Sequence, residues 1–172
     1  SGTLLSSTVV LTAGHCTGWL DAAGNQHPND GVTYVRNATD INAVYAAERP
    51  SYGSTTAWLD ATWSSGQAVP HPEYADFAEF PNTFDIGLVL LEASDAIVVD
   101  EYGEMPALGQ FDYLRTAKGS PKHRMVQVVG YGLVGKIPAF ANNDIWERRV
   151  AYSTIINTGS SANVGDQNFM YT

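Results

Sequence analysis

Hydrophobic positions along the chain fall in short, β-branched runs broken by turn residues. Thr8-Val9-Val10-Leu11-Thr12, Val32-Thr33-Tyr34-Val35, Ile86 to Leu91, Val126-Gln127-Val128-Val129 and Val150 to Ile156 each have the length and composition of a strand. Ser1 opens directly onto Gly2-Thr3-Leu4-Leu5, which also reads as a strand. Between the runs lie turn-rich stretches such as Ala23-Gly24-Asn25, Asn29-Asp30-Gly31 and Lys118-Gly119-Ser120-Pro121. Ile41 to Arg49, with Ala43, Ala46, Ala47 and Glu48, has the composition of a helical turn but no apolar stripe. No internal repeat is visible. The pattern predicts an all-β fold, sandwich or barrel, with long decorated loops.

Composition sharpens this picture by exclusion. The 172 residues are 44% hydrophobic, 11% aromatic and only 16% charged, which suits a packed core and not a disordered chain. The longest apolar stretch, Ile86 to Leu91, is far short of the ~18 residues a membrane-spanning helix needs. A net charge of −9 argues against a phosphate-binding surface and hence against a nucleic-acid partner. That charge is unevenly spread. Residues 1–104 hold 14 acidic and 2 basic groups, and residues 105–172 hold 4 acidic and 7 basic, so the net runs from −12 to +3. The step predicts two structural halves that attract one another.

Three groups of residues invite a chemical reading. Gly130-Tyr131-Gly132-Leu133-Val134-Gly135 is a literal G-x-G-x-x-G after a predicted strand, but Pro138 would interrupt the helix that a dinucleotide site requires. A glycine-rich β-turn is the expectation there. His71-Pro72-Glu73 matches the H-x-E of zinc deaminases, yet Cys16 is the sole cysteine, and His15, His27, His71 and His123 are scattered. No metal is expected, and His71 reads as a turn histidine between Pro70 and Pro72. The third group is Leu11-Thr12-Ala13-Gly14-His15-Cys16 together with Phe84-Asp85-Ile86-Gly87-Leu88-Val89-Leu90-Leu91. A histidine ends one strand in a small-residue setting, and an aspartate heads another. A carboxylate opening such an apolar run is costly to bury unless a donor satisfies it, and a histidine Nδ1–H is such a donor.

The words around these two residues resemble those of chymotrypsin/trypsin-like serine peptidases. Ser1 to Leu5 followed by Val10 to Cys16 is similar to the family's catalytic-histidine segment, and Phe84 to Leu88 to its aspartate segment. Val69-Pro70-His71-Pro72-Glu73-Tyr74 resembles the His-Pro stretch upstream of that aspartate, and Val129-Gly130-Tyr131-Gly132 a Gly-aromatic-Gly of the second barrel. The order is the family's own. The resemblance implies a double antiparallel Greek-key β-barrel, with residues 1–108 as the N-terminal barrel and residues 109–172 as linker and first part of the C-terminal barrel. It implies a serine endopeptidase with His15 as general base and Asp85 as its orienting partner, no cofactor, no metal, polypeptide substrates, no membrane and a monomeric state.

Departures from the family pattern matter as much. No Gly-Asp-Ser-Gly-Gly motif is present. Gly53-Ser54, Gly119-Ser120 and Gly159-Ser160-Ser161 lack its flanking residues, and Gly165-Asp166 is followed by Gln167. No serine is therefore assigned as nucleophile. The resemblance also begins after the family's usual first strand, and neither end has the polar taper of a domain edge. The expectation is a portion of a longer protein, with the nucleophile beyond Thr172 and the 172 residues inactive by themselves. A non-catalytic trypsin-fold binding protein is the alternative. The resemblance further implies that Cys16 pairs with a cysteine just upstream of Ser1, the competing reading being a small buried hydrophobe. Secretion or a periplasmic location follows from the family. Asn37-Ala38-Thr39 is a glycosylation sequon that carries information only in a eukaryotic secretory pathway.

Overall fold

A computed structural model describes residues 1–29, 31–75, 83–110, 125–131 and 146–154. Five strands form an antiparallel sheet: β1 (Thr3–Ser6), β2 (Val9–Thr12), β5 (Thr33–Val35), β6 (Ser64–Pro70) and β7 (Gly87–Leu91), in the order β1-β2-β7-β6-β5. Two ribbons accompany it, β3 (Gly18–Leu20) with β4 (Gln26–Pro28), and β8 (Met125–Gly130) with β9 (Arg149–Thr154). The described residues are thus mainly antiparallel β, and no sheet among them closes into a barrel. His123, Gly132 to Gly135, Ile155-Ile156 and the sequence around Lys118-Gly119-Ser120 lie outside the described residues.

β7 is the hub because its apolar residues are flanked on both sides. Val89 faces Val10 of β2 and Ala68 of β6 in register, and Leu91 faces Gly66. Val10, Val89 and Leu91 form the buried core, with Leu4, Val35 and Ile97 packed against them. One-residue alternation turns Leu88, Val69 and Leu90 to the opposite face, where Val69 and Leu90 stay exposed.

Two departures from the sequence pattern have tertiary causes. Ser64 to Pro70 carries little strand signal, yet it pairs with β5 and β7 along its length, and sheet context overrides weak propensity. Between β5 and β6 stand two eight-residue helices, α1 (Ile41–Glu48) and α2 (Thr55–Thr62). Asp40 caps α1 by accepting from the Ala43 amide, and Ser54 caps α2 by accepting from Ala57. An aromatic cluster replaces the missing apolar stripe. Buried Trp58 meets Tyr45 and Trp63 edge-on at 5.4 Å each, and its Nε1 donates to Glu48. The Arg36 guanidinium donates two hydrogen bonds to that same carboxylate, at 2.6 and 2.7 Å, and chiefly through them holds the Glu48 carboxyl below its usual range.

Among the described residues, 125–131 and 146–154 meet the first half through neutral acceptors. The Arg148 guanidinium donates to Asn37 Oδ1 and Thr39 Oγ1, its amide donates to Thr39, and Ile41 donates to the Trp146 carbonyl. The Tyr131 hydroxyl adds a bond to the Ala38 carbonyl. Sequon residue Asn37 is exposed.

Candidate functional site

The site is built where β2 ends and β7 begins. After Thr12 the chain turns through a single 3₁₀ turn, Gly14–Cys16, which is tied down by Thr17. The Thr17 side chain is fully buried. Its hydroxyl donates to the Gly14 carbonyl at 2.9 Å, and its side chain lies flat against Gly87. A Cβ at Gly87 would run into Thr17, so the glycine at the head of β7 lets the histidine turn approach that strand.

On the other side, Phe84 has φ +47, a left-handed conformation that a bulky residue rarely adopts. The Ile86 amide donates back to the Phe84 carbonyl at 2.7 Å, which places Asp85 at the apex of a three-residue turn. These two turns bring His15 and Asp85, 70 residues apart, into contact. His15 Nδ1 lies 2.9 Å from Asp85 Oδ2 and 3.1 Å from Oδ1, and the His15 amide donates to Oδ1 at 2.9 Å. The expected hydrogen bond is present.

The reason for it differs from the sequence argument. Asp85 is not a buried carboxylate seeking a donor, since its side chain is 39% exposed and that of His15 is 60% exposed. What burial there is opposes ionisation of Asp85. The His15 amide, the His15 ring and the Gly14 amide outweigh it and hold the carboxyl below its usual range. An ionised carboxylate only accepts, so Nδ1 must be the donor and Nε2 is left free. Among the described residues no group is hydrogen-bonded to His15 Nε2, and no serine hydroxyl reaches the ring.

The other sequence candidates separate from this site. His71 sits in a turn, as its prolines suggest, with Nδ1 accepting from the Glu73 amide at 3.1 Å. His27 belongs to the β3–β4 hairpin, where its Nε2 contacts Asp21 Oδ2 at 3.2 Å and its ring stacks on Trp19 at 4.6 Å. Gly130 ends β8, and the rest of its glycine run lies outside the described residues. Cys16 is a free and exposed thiol, which overturns the buried-hydrophobe reading. A disulfide partner would have to come from outside the 172 residues.

Sequence reasoning missed Phe84, Thr17 and Tyr74 as neighbours of the pair. The left-handed φ of Phe84 has no sequence signal, because glycine or asparagine is the usual marker of that conformation. Thr17 follows the histidine word directly, but its burial against Gly87 depends on a strand 70 residues away. In the comparisons with known proteins, the chain matches no family model, no curated protein and no solved structure.

Proposed function

We propose that these residues supply the base and its orienting carboxylate to a serine endopeptidase of the chymotrypsin/trypsin-like kind. The observation that carries the reading is the His15 Nδ1–Asp85 hydrogen bond, made between two turns whose sequence words resemble that family's. With Nδ1 held as donor, the Nε2 lone pair takes the proton from a serine hydroxyl as its oxygen attacks the peptide carbonyl carbon. The C–N bond then breaks as Nε2–H returns that proton to the leaving amine. Water repeats the cycle on the acyl-enzyme, with His15 again as base. Ionised Asp85 stabilises the transient imidazolium. The nucleophile and the oxyanion donors come, in this reading, from sequence outside residues 1–172.

The five-stranded sheet is, in the same reading, most of a Greek-key barrel. Its edge strands β1 and β5 both line one cavity of about 820 Å³. Beside it Trp63 Nε1 is buried with no hydrogen-bond partner among the described residues. Gly103 takes one carbonyl of the β1 edge, Leu4. A further strand laid between β1 and β5 would pair with what remains of both edges, fill the cavity and offer carbonyls to Trp63. β8 and β9 would then open a second barrel.

A fluorophosphonate probe, which labels activated serines, tests the assignment. Protein extending beyond Thr172 is expected to label at one serine and to lose that label on His15→Ala. Residues 1–172 alone are expected not to label, because loss of the nucleophile costs on the order of 10⁶ in kcat in a comparable triad. Stoichiometric labelling of residues 1–172, or labelling indifferent to His15→Ala, would overturn the reading.

A further inference from the structure

We propose that the turn from His71 to Tyr74 is a brace that holds both members of the His15–Asp85 pair in register, which makes His71, Tyr74 and Phe84 positioning residues. The inference rests on the reading above that the pair is a catalytic base. It starts from a difficulty. Both partners are exposed, and a hydrogen bond open to water contributes little net free energy, so the bond alone does not fix the ring and carboxylate in one geometry. Their orientation has to come from the backbone that carries them.

One end of the turn grips Asp85. The His71 ring stacks on Phe84, the residue before Asp85, with centroids 5.1 Å apart and planes 8° from parallel. The His71 amide donates to the carbonyl of Ile86, the residue after Asp85, at 2.9 Å. Phe84 is the left-handed residue, and such a conformation persists in a bulky side chain only where the surroundings over-determine it. The stack and the flanking hydrogen bond do this.

The other end grips the histidine turn. Buried Tyr74 lies with its ring against Gly14, so closely that a Cβ there would sit 2.6 Å from Tyr74 Cδ2 and 3.1 Å from the Ile86 amide. Gly14 directly precedes His15, whose amide donates to Asp85 Oδ1 at 2.9 Å. The two ends are joined within the turn, since the Tyr74 amide donates to the His71 carbonyl at 2.9 Å and Gln26 Nε2 donates to the same oxygen at 2.6 Å. The contacts close a ring: His71, Phe84, Asp85, His15, Gly14, Tyr74 and back to His71. A shift of this turn therefore moves carboxylate and imidazole relative to one another.

The test reads the tautomer of His15 by ¹⁵N NMR with the ring neutral. In the unsubstituted protein Asp85 selects the Nδ1–H form, whereas free histidine favours Nε2–H. His71→Ala and Phe84→Ala are expected to make Nε2–H the major form. In protein carrying the nucleophile, the same changes are expected to lower kcat on the order of 10- to 100-fold with KM little altered. His71→Phe keeps a ring against Phe84 and is expected to restore most of both. A merely structural turn would lower the melting temperature and leave the tautomer alone. Should the alanine variants not fold, Phe84→Gly removes the ring at no backbone cost, and its expected result is a mixed tautomer in a folded protein. Folded variants that all keep the Nδ1–H form would overturn the brace. The tautomer needs no serine, so a shifted tautomer in a protein without peptidase activity would sustain the brace and sink the peptidase reading.

Discussion

The described residues contain two histidine–aspartate pairs of nearly the same length, and they are put together in opposite ways. Asp21 and His27 are six residues apart in the β3–β4 hairpin and meet through Nε2 at 3.2 Å. Asp21 is held mainly by its own turn, accepting from the Ala23 amide, the Asn25 amide and the Asn25 side chain. His15 and Asp85 are 70 residues apart and meet through Nδ1 at 2.9 Å, leaving Nε2 open. In the first pair the carboxylate organises a turn and the histidine is an accessory. In the second the carboxylate is aimed at one ring nitrogen, Nδ1, and the other is left open. Distance does not separate the two pairs; the nitrogen that is held and the origin of the carboxylate's other bonds do.

Asparagine scanning should break the symmetry most sharply. Asp85→Asn in protein carrying the nucleophile is expected to lower kcat on the order of 10⁴-fold, because an amide no longer enforces the Nδ1–H form. Asp21→Asn is expected to leave kcat unchanged and to loosen only the hairpin, visible as faster amide exchange at Ala23 and Asn25. Equal losses from the two substitutions, measured as kcat on one peptide substrate, would show that the pairs do not differ as described.

Gly87→Ala probes the support beneath the His15–Asp85 pair. The added methyl meets the buried Thr17 side chain, and overpacking of this kind costs roughly 1–3 kcal/mol. Denaturant unfolding should show that loss, together with a change in the His15 resonances and none in those of His27.

The smallest effects are in acid. Both carboxyls are held below their usual range, Asp21 chiefly by the Asn25 side chain and Asp85 by the His15 and Gly14 donors against opposing desolvation. A carboxyl whose folded pKa is depressed adds stability that is fully present above its unfolded pKa. That stability is lost as pH falls through the folded value. The stability difference between Asp85→Asn and the unsubstituted protein is therefore expected to be constant near neutrality and to vanish in acid. Carboxyl ¹³C titration should also show Asn25→Ala moving Asp21 more than His27→Ala does. His15→Ala should move Asp85 only part of the way back, since the two backbone donors remain.

Much of this was legible in the chain. The runs at Val9–Thr12, Thr33–Val35, Gly87–Leu91, Met125–Gly130 and Arg149–Thr154 announce their strands, because short β-branched stretches bounded by turn residues pack best in an extended backbone. His15 and Asp85 are legible as words because a glycine stands close to each, Gly14 and Gly87, where backbones must come close. The strand Ser64–Pro70 and the helices at 41–48 and 55–62 are less legible, since their order depends on neighbours in space, namely β7 for the strand and the Trp58 cluster for the helices.

What the sequence determined by itself is local: which segments extend, where they turn, and which residues carry ionisable groups. What only the tertiary structure decided is the relation between distant turns. It holds Phe84 left-handed under the His71 ring, lays Thr17 on Gly87, and turns Asp85 toward Nδ1 of His15 and away from Nε2. The physical reason is that periodicity encodes which face of a strand is buried. The direction of an exposed side chain at a strand end is instead set by close packing among residues far apart in the chain, which no local pattern records.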